Sequence, residues 1–261
     1  GDIILAVDGA ALDGLDATDA ALLIRGEIGS TVTLTLRRAV DGATYTVALT
    51  RGEIVTESVT GENLPDVDHT AYIILYSFTE HTAEEFVDLY NQLRAERPVE
   101  RLIIDLRSNN GGSFYAAINI ANLFVPSGMT VVKEKTSSGM QEYTSTNGQL
   151  NGIDLIVLQN AWTASASEVL TGALRDNARA VVIGSTSYGK GITQSVFEVG
   201  EGGYRYTRSR YYTPSGYDLH GVGIVPDIEI ADPEGITSED YFSYDPALNP
   251  HLAAAIAYLA Q

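Results

Sequence analysis

The sequence predicts an α/β fold: a mixed, largely parallel sheet with flanking helices, preceded by a smaller mixed unit. Three observations carry this expectation. From Ala71 onward, short apolar strands alternate with helical stretches, the βαβ rhythm of a parallel sheet. Before about residue 52, alternating strands around an Asp-Gly turn read as a separate small unit. The 261 residues are 44% hydrophobic and 19% charged, so the chain has the apolar content for a core and is not disordered.

In order along the chain, Ile3–Val7 is a short apolar run ended by Asp8-Gly9, a strand and its turn. Asp16-Ala17-Thr18-Asp19 offers helix-start chemistry before Ala20–Ile24, and Gly26 stands where that helix should stop. Thr31–Leu36 and Thr44–Leu49 alternate around a hairpin turn at Asp41-Gly42. So few elements bury little surface alone, so this unit reads as beginning in mid-fold. Strands are then expected at Ala71–Leu75, Leu102–Leu106, Ile153–Leu158 and Ala180–Ile183. The intervening helices fall at Ala83–Arg94, Phe114–Phe124 and Ala164–Asn177. Asp232–Tyr244 is acidic and turn-rich, and His251–Leu259 reads as a closing helix. The segmentation is 1–52, 53–232 and 233–261. In open α/β sheets the reacting groups gather at strand carboxyl ends, and unusual sequence follows Leu106 and Leu158.

Composition excludes several function classes. Sixteen Lys and Arg against 34 Asp and Glu give a net charge of −18, which repels phosphate backbones and anionic lipid surfaces, so nucleic acid is not an expected partner. Cysteine is absent, which removes disulfides and thiolate chemistry. His69, His81, His220 and His251 are scattered, read as surface or capping residues, and no metal or other cofactor is expected. No apolar run of 18 residues occurs, and no basic-then-apolar leader is visible. A segment removed before Gly1 is compatible with this.

Gly184-Ser185-Thr186-Ser187-Tyr188-Gly189-Lys190-Gly191 matches a phosphate-binding loop except at its end. Gly191 stands where a magnesium-binding hydroxyl is needed, and Ile192–Phe197 alternates like a strand, not a helix. Ser165 sits among small residues between a strand and a helix. With Glu168 it also fits a capping box, in which the hydroxyl merely satisfies helix-end amides. The G-x-S-x-G elbow and a histidine partner are both missing, so a catalytic serine here needs another base. A lysine can serve only when desolvated, because an ordinary lysine is neutral at pH 7 in about one molecule in a few thousand. Lys190, between glycines and apolar neighbours with no acid in the segment, suits that role. Gln194, four residues on, is the candidate to orient its amine. Acyl transfer also needs oxyanion donors. The N–H of Ala166 follows the serine, and Arg107-Ser108-Asn109-Asn110-Gly111-Gly112 is a turn able to supply a second.

Together these segments resemble the carboxyl-terminal processing (tail-specific) proteases, serine–lysine endopeptidases with a PDZ domain. The resemblance covers most of residues 1 to about 230. It is carried by Ile104–Gly112, Ser165-Ala166-Ser167-Glu168, Arg179-Ala180 with Tyr188–Gly191 and Gln194, Tyr212–Gly216, and Gly223–Asp227, in that order. It implies Ser165 as nucleophile, Lys190 as general base, Gln194 as the group orienting the lysine, and Gly111 and Ala166 as oxyanion donors, with Gly112 beside them. The 25 residues from Ser165 to Lys190 agree with the family's spacing and separate Ser165 from Ser167. Asn110 replaces a common proline and Thr163 a common serine; neither change removes a reacting atom.

The resemblance further implies that residues 1–52 are the second half of a PDZ domain, whose carboxylate-gripping first half precedes Gly1. Expected partners are polypeptide substrates with apolar C-termini. Location is expected to be extracytoplasmic (periplasmic, cell-surface or secreted), with a membrane anchor only through residues outside this chain. A homo-oligomer is compatible with the sequence. The alternative is a catalytically latent peptide-binding scaffold of the same fold.

Overall fold

The computed structural model describes residues 2–15, 17–52, 57–199, 202–233, 242–243, 245 and 248–260. Asp16 of the expected helix start, and residues 234–241 and 244 of the expected acidic tail, lie outside them. The chain forms two compact units, Gly1–Thr56 and Glu57–Gln261.

The first unit is a four-stranded sheet with one helix. Strands β1 (Ile3–Val7), β2 (Ala10–Ala11), β3 (Thr31–Arg37) and β4 (Thr44–Thr50) lie in the order β2-β1-β3-β4, all antiparallel, with α1 at Ala17–Ile24. Its core is small, as expected: Val7, Val32 and Leu34 are buried, with Ile4, Ile24 and Val47 against them.

The second unit is built on a six-stranded sheet of β5 (Val59–Asn63), β6 (Thr70–Leu75), β7 (Arg101–Asp105), β10 (Asp154–Gln159), β11 (Ala180–Gly184) and β14 (Ile228–Glu229). The spatial order is β14-β11-β10-β7-β6-β5, parallel throughout except that β5 runs against β6. The apolar runs read as strands because both faces are covered. Ile73, Leu102, Ile104 and Val157 pack on one side, and Tyr72, Ile103, Ile156 and Leu158 on the other. Helices α2 (Thr82–Glu96), α3 (Phe114–Phe124) and α4 (Ala166–Asp176) cover the first side. Helix α5 (Pro250–Leu259) covers the second through Leu252 and Ala255, so the closing helix is integral to this core.

Between α3 and β10, and again after β11, the chain builds a second sheet, in the order β12-β13-β8-β9. Its strands are β8 (Thr130–Thr136), β9 (Gly139–Thr144), β12 (Ile192–Val199) and β13 (Gly202–Tyr212). Only β12 was expected. β9 is polar and mostly exposed, and β8 buries only the adjacent pair Val131 and Val132 among polar residues, so neither carries the apolar alternation that reveals a strand.

Candidate active site

Three neighbouring parallel strands end together. Asp105 of β7 pairs with Leu158 of β10, and Gln159 of β10 with Gly184 of β11, so the loops after all three meet at the carboxyl edge of the sheet. They are tied to one another. Ser108 N–H donates to Asn160 Oδ1 at 2.9 Å, Ala164 N–H to the Asn109 carbonyl at 3.0 Å, and Tyr188 N–H to the Thr163 carbonyl at 2.9 Å. The two strand ends singled out in the sequence are thus adjacent, and the lysine-bearing loop makes a third.

Ser165 stands at the entrance to α4 with φ 59° and ψ −116°, a left-handed conformation that a side chain disfavours. It is partly exposed. Ser167 is fully buried and donates its hydroxyl to the Asn109 carbonyl at 2.9 Å, a structural role. Gly111 presses against the serine. At φ +98°, a Cβ there would lie 2.8 Å from Ser165 Cβ and 2.7 Å from the Ala164 carbonyl oxygen, so only glycine fits.

The carboxylate of Glu168 is fully buried and accepts four hydrogen bonds. Oε2 takes the N–H of Ser165 at 2.9 Å and that of Lys190 at 2.8 Å. Oε1 takes the N–H of Gly189 at 2.7 Å and the Ser187 hydroxyl at 2.5 Å. The sequence offered Glu168 only as a capping partner. Its reach to the lysine loop came from no spacing rule: the lysine segment itself holds no acid, yet a carboxylate 22 residues earlier accepts from its backbone. The one visible hint was an acid embedded among apolar helix residues, which must find donors when buried.

Ser165, Ala166, Lys190, Gln194 and Gly112 line one cleft of about 370 Å³, walled by Phe114, Ile192 and Tyr211. Phe114 and Tyr211 stack with ring centres 4.8 Å apart, and burial pushes the Tyr211 hydroxyl up to about 12, so this wall stays uncharged. Two expectations are corrected here. Lys190 is exposed, not desolvated, because the apolar walls leave the cleft open. Gln194 does not share a strand face with Lys190 by simple alternation: β12 begins at Ile192, and a bulge intervenes between Thr193 and Gln194. The Gly111 N–H donates to Asn109 Oδ1 at 2.9 Å in this structure. Thr163, in place of the common serine, is buried and donates to the Leu106 carbonyl at 2.8 Å.

The phosphate-loop reading fails on geometry, since Gly191 leads into strand β12 and no helix N-terminus follows. Among the described residues, no group of three or more His, Asp or Glu could hold a metal ion.

Beneath the first loop lies a polar cluster that sequence reasoning missed. Arg107 is fully buried and pairs with Asp105, whose carboxylate also accepts from the Tyr72 hydroxyl. His251, read as a surface or capping histidine, is fully buried with Nδ1 3.3 Å from Arg107 Nη1. Burial, and then the neighbouring Arg107 charge, hold its pKa below the usual histidine range. Burial, reinforced by the Asp105 charge, drives Tyr72 well above the usual tyrosine value. Arg107 opens the glycine turn, so this cluster anchors the loop that faces Ser165.

The profile of Peptidase family S41 matches residues 69–230. A carboxyl-terminal-processing protease of Picosynechococcus sp. is 36% identical over 228 residues, covering 87% of this chain and 55% of that protein. The chloroplastic C-terminal processing peptidase of Tetradesmus obliquus is 35% identical over 256 residues, covering 92% of this chain and 54% of that protein. Among solved structures, the photosystem II D1 C-terminal processing protease superposes with a TM-score of 0.64 at 32% identity, over 95% of this chain and 66% of that one. The chain spans about half the length of the curated relatives it matches. Among the described residues no helix is long and apolar enough to cross a membrane. With the family profile covering the three-loop cleft and the relatives agreeing along the chain, this protein belongs to peptidase family S41, alongside the carboxyl-terminal-processing proteases.

Proposed function

We propose that the chain carries the catalytic core of a serine endopeptidase that cleaves polypeptides near their C-termini through an acyl-enzyme on Ser165. The observation that carries this reading is the shared cleft: Ser165 and Lys190, 25 residues apart in sequence, line one cavity while their backbone N–H groups share Glu168 Oε2.

In the proposed reaction the neutral amine of Lys190 takes the Ser165 proton as Oγ attacks the scissile carbonyl. The Gln194 side-chain carbonyl accepts from that amine and orients it. The oxyanion accepts from the Ala166 N–H and from the glycine turn. Gly112 lines the cleft, while Gly111 contributes once Asn109 releases its N–H. Collapse breaks the C–N bond, and the leaving amine takes the proton back from Lys190. Water then attacks the ester with the same lysine as base, restoring Ser165. Because Lys190 is exposed in the open cleft, the substrate itself supplies the cover that desolvates it. The Phe114, Ile192 and Tyr211 walls favour apolar residues there, consistent with substrates bearing apolar C-termini. Residues 1–52 are proposed as the second half of a PDZ domain, the setting as extracytoplasmic, and self-assembly as compatible with both.

Ser165→Ala and Lys190→Ala should each abolish cleavage of an unfolded polypeptide while leaving the circular dichroism spectrum unchanged. A fluorophosphonate probe should label Ser165 and no other serine. Turnover that survives both substitutions would end the assignment.

A further inference from the structure

Strands β12 and β13 form a ribbon that outgrows its sheet. β13 pairs with β8 only at Arg210–Tyr212, so from Gln194 outward the two strands pair, among the described residues, only with each other. On one face of this ribbon three aromatic rings lie in contact. Phe197 stacks on Tyr204 at 5.4 Å and on Tyr206 at 5.6 Å, yet the three remain 45%, 55% and 43% exposed. Cross-strand ring contacts help hold a two-stranded ribbon, which is marginal in water. That role uses the faces the rings turn to one another and leaves a contiguous apolar surface open, a feature that marks binding sites.

The strand that carries Phe197 starts in the cleft. Ile192, Thr193 and Gln194 line it beside Ser165, and Phe197 follows three residues further along the same strand, about 10 Å in extended chain. β12 is also the outer strand of its sheet, with one backbone edge unpaired among the described residues. We propose that this ribbon is an extended binding site for the polypeptide substrate. The substrate adds along the β12 edge and sets an aromatic or large apolar side chain, three to five residues from the scissile bond, against Phe197, Tyr204 and Tyr206. Charge favours this occupant over a second copy of the chain. Residues 190–212 carry four basic residues against two acidic ones, whereas two whole chains of net charge −18 repel each other.

The proposal rests on the endopeptidase reading, and binding to the full-length Ser165→Ala chain separates the two. The probes are two fluorescein-labelled unstructured peptides with the same apolar centre. One has about six residues and fills the cleft; the other has about 16 and carries Phe three to five residues from the centre on each side. Anisotropy should show the longer peptide binding about tenfold tighter, the size of one aromatic contact. Combined Phe197→Thr, Tyr204→Thr and Tyr206→Thr substitutions, which keep strand propensity, should erase that ratio and leave the short peptide's affinity unchanged. Phe197→Tyr with Tyr204→Phe and Tyr206→Phe should preserve it. An unchanged ratio in the threonine variant overturns the proposal, as does loss of self-association in sedimentation with peptide affinity intact. Absence of cleavage by the unsubstituted chain, with the tenfold ratio retained, removes the endopeptidase reading and leaves the ribbon site standing.

Discussion

Ser165 and Lys190 are joined through one atom: Glu168 Oε2 accepts the backbone N–H of both, at 2.9 and 2.8 Å. Two loops that follow different strands are thereby locked to a common point, and the lock lies under the cleft, not in it. The relative placement of Ser165 and Lys190 is set by a buried carboxylate that is not part of the cleft lining.

Glu168→Gln should therefore damage turnover more than substrate binding. The amide turns N–H groups toward donors that had a carboxylate, leaving buried N–H groups unpaired at about 1–3 kcal/mol each. With the two loops free to shift, kcat should fall about 100-fold, KM should change little, and fluorophosphonate labelling of Ser165 should slow in parallel. Labelling at the original rate would show that the loops hold their positions without this carboxylate.

A second prediction concerns the wall behind the serine. Gly111→Ala puts a methyl 2.8 Å from Ser165 Cβ in a conformation, φ +98°, that alanine rarely adopts. The strain costs about 1–3 kcal/mol. The serine or the turn must move, so activity should drop about 100-fold, measurable as kcat/KM on an unfolded substrate. Gly128→Ala is the control: its φ is also positive, at +88°, but its Cβ would meet open space far from the cleft loops in sequence, so it should lose stability and keep activity.

How legible this was from sequence depended on periodicity and on local spacing. The buried strands β6, β7 and β10 announce themselves because apolar residues on both faces make unbroken runs such as Leu102-Ile103-Ile104. Ser165 and Lys190 stand out in the sequence because small residues and glycines mark tight turns at strand ends, and with Gln194 they line one cleft. What stayed hidden is what depends on distant partners. His251 lies 144 residues from Arg107, and no local pattern distinguishes a buried histidine over an arginine from a helix-capping one. Likewise, Glu168 lies 22 residues before Lys190, whose N–H it accepts at 2.8 Å, and no local pattern joins the two.

The buried histidine makes stability depend on pH in a defined direction. Burial and the Arg107 charge lower the His251 pKa in the folded state, outweighing the opposite pull of Asp232, 3.6 Å from Nε2, and of Asp105. The unfolded chain therefore takes up the proton first as pH falls. The contribution is fully present above the unfolded value of about 6.5 and is lost as pH falls toward the folded value. The urea midpoint of the unsubstituted protein should drop more between pH 7.5 and 5.5 than that of His251→Gln. Equal drops would mean that His251 protonates in the folded state as easily as in the unfolded one.

The strain at Ser165 gives the last prediction, in which stability and function part company. A serine at φ 59° and ψ −116° holds a backbone state that glycine occupies freely. Ser165→Ala removes the hydroxyl proposed as nucleophile and keeps the strain; Ser165→Gly removes both. The two variants lose the same hydroxyl, so the difference between them isolates the backbone. The glycine variant gains freedom in the unfolded chain, which works against it, but the released strain of about 1–3 kcal/mol is the larger effect. Ser165→Gly should melt about 2–4 °C above Ser165→Ala for each kcal/mol gained, with neither cleaving substrate. If the alanine variant melts at the higher temperature, the backbone at residue 165 is not strained, and the loops around Glu168 hold Ser165 in a conformation it adopts without cost.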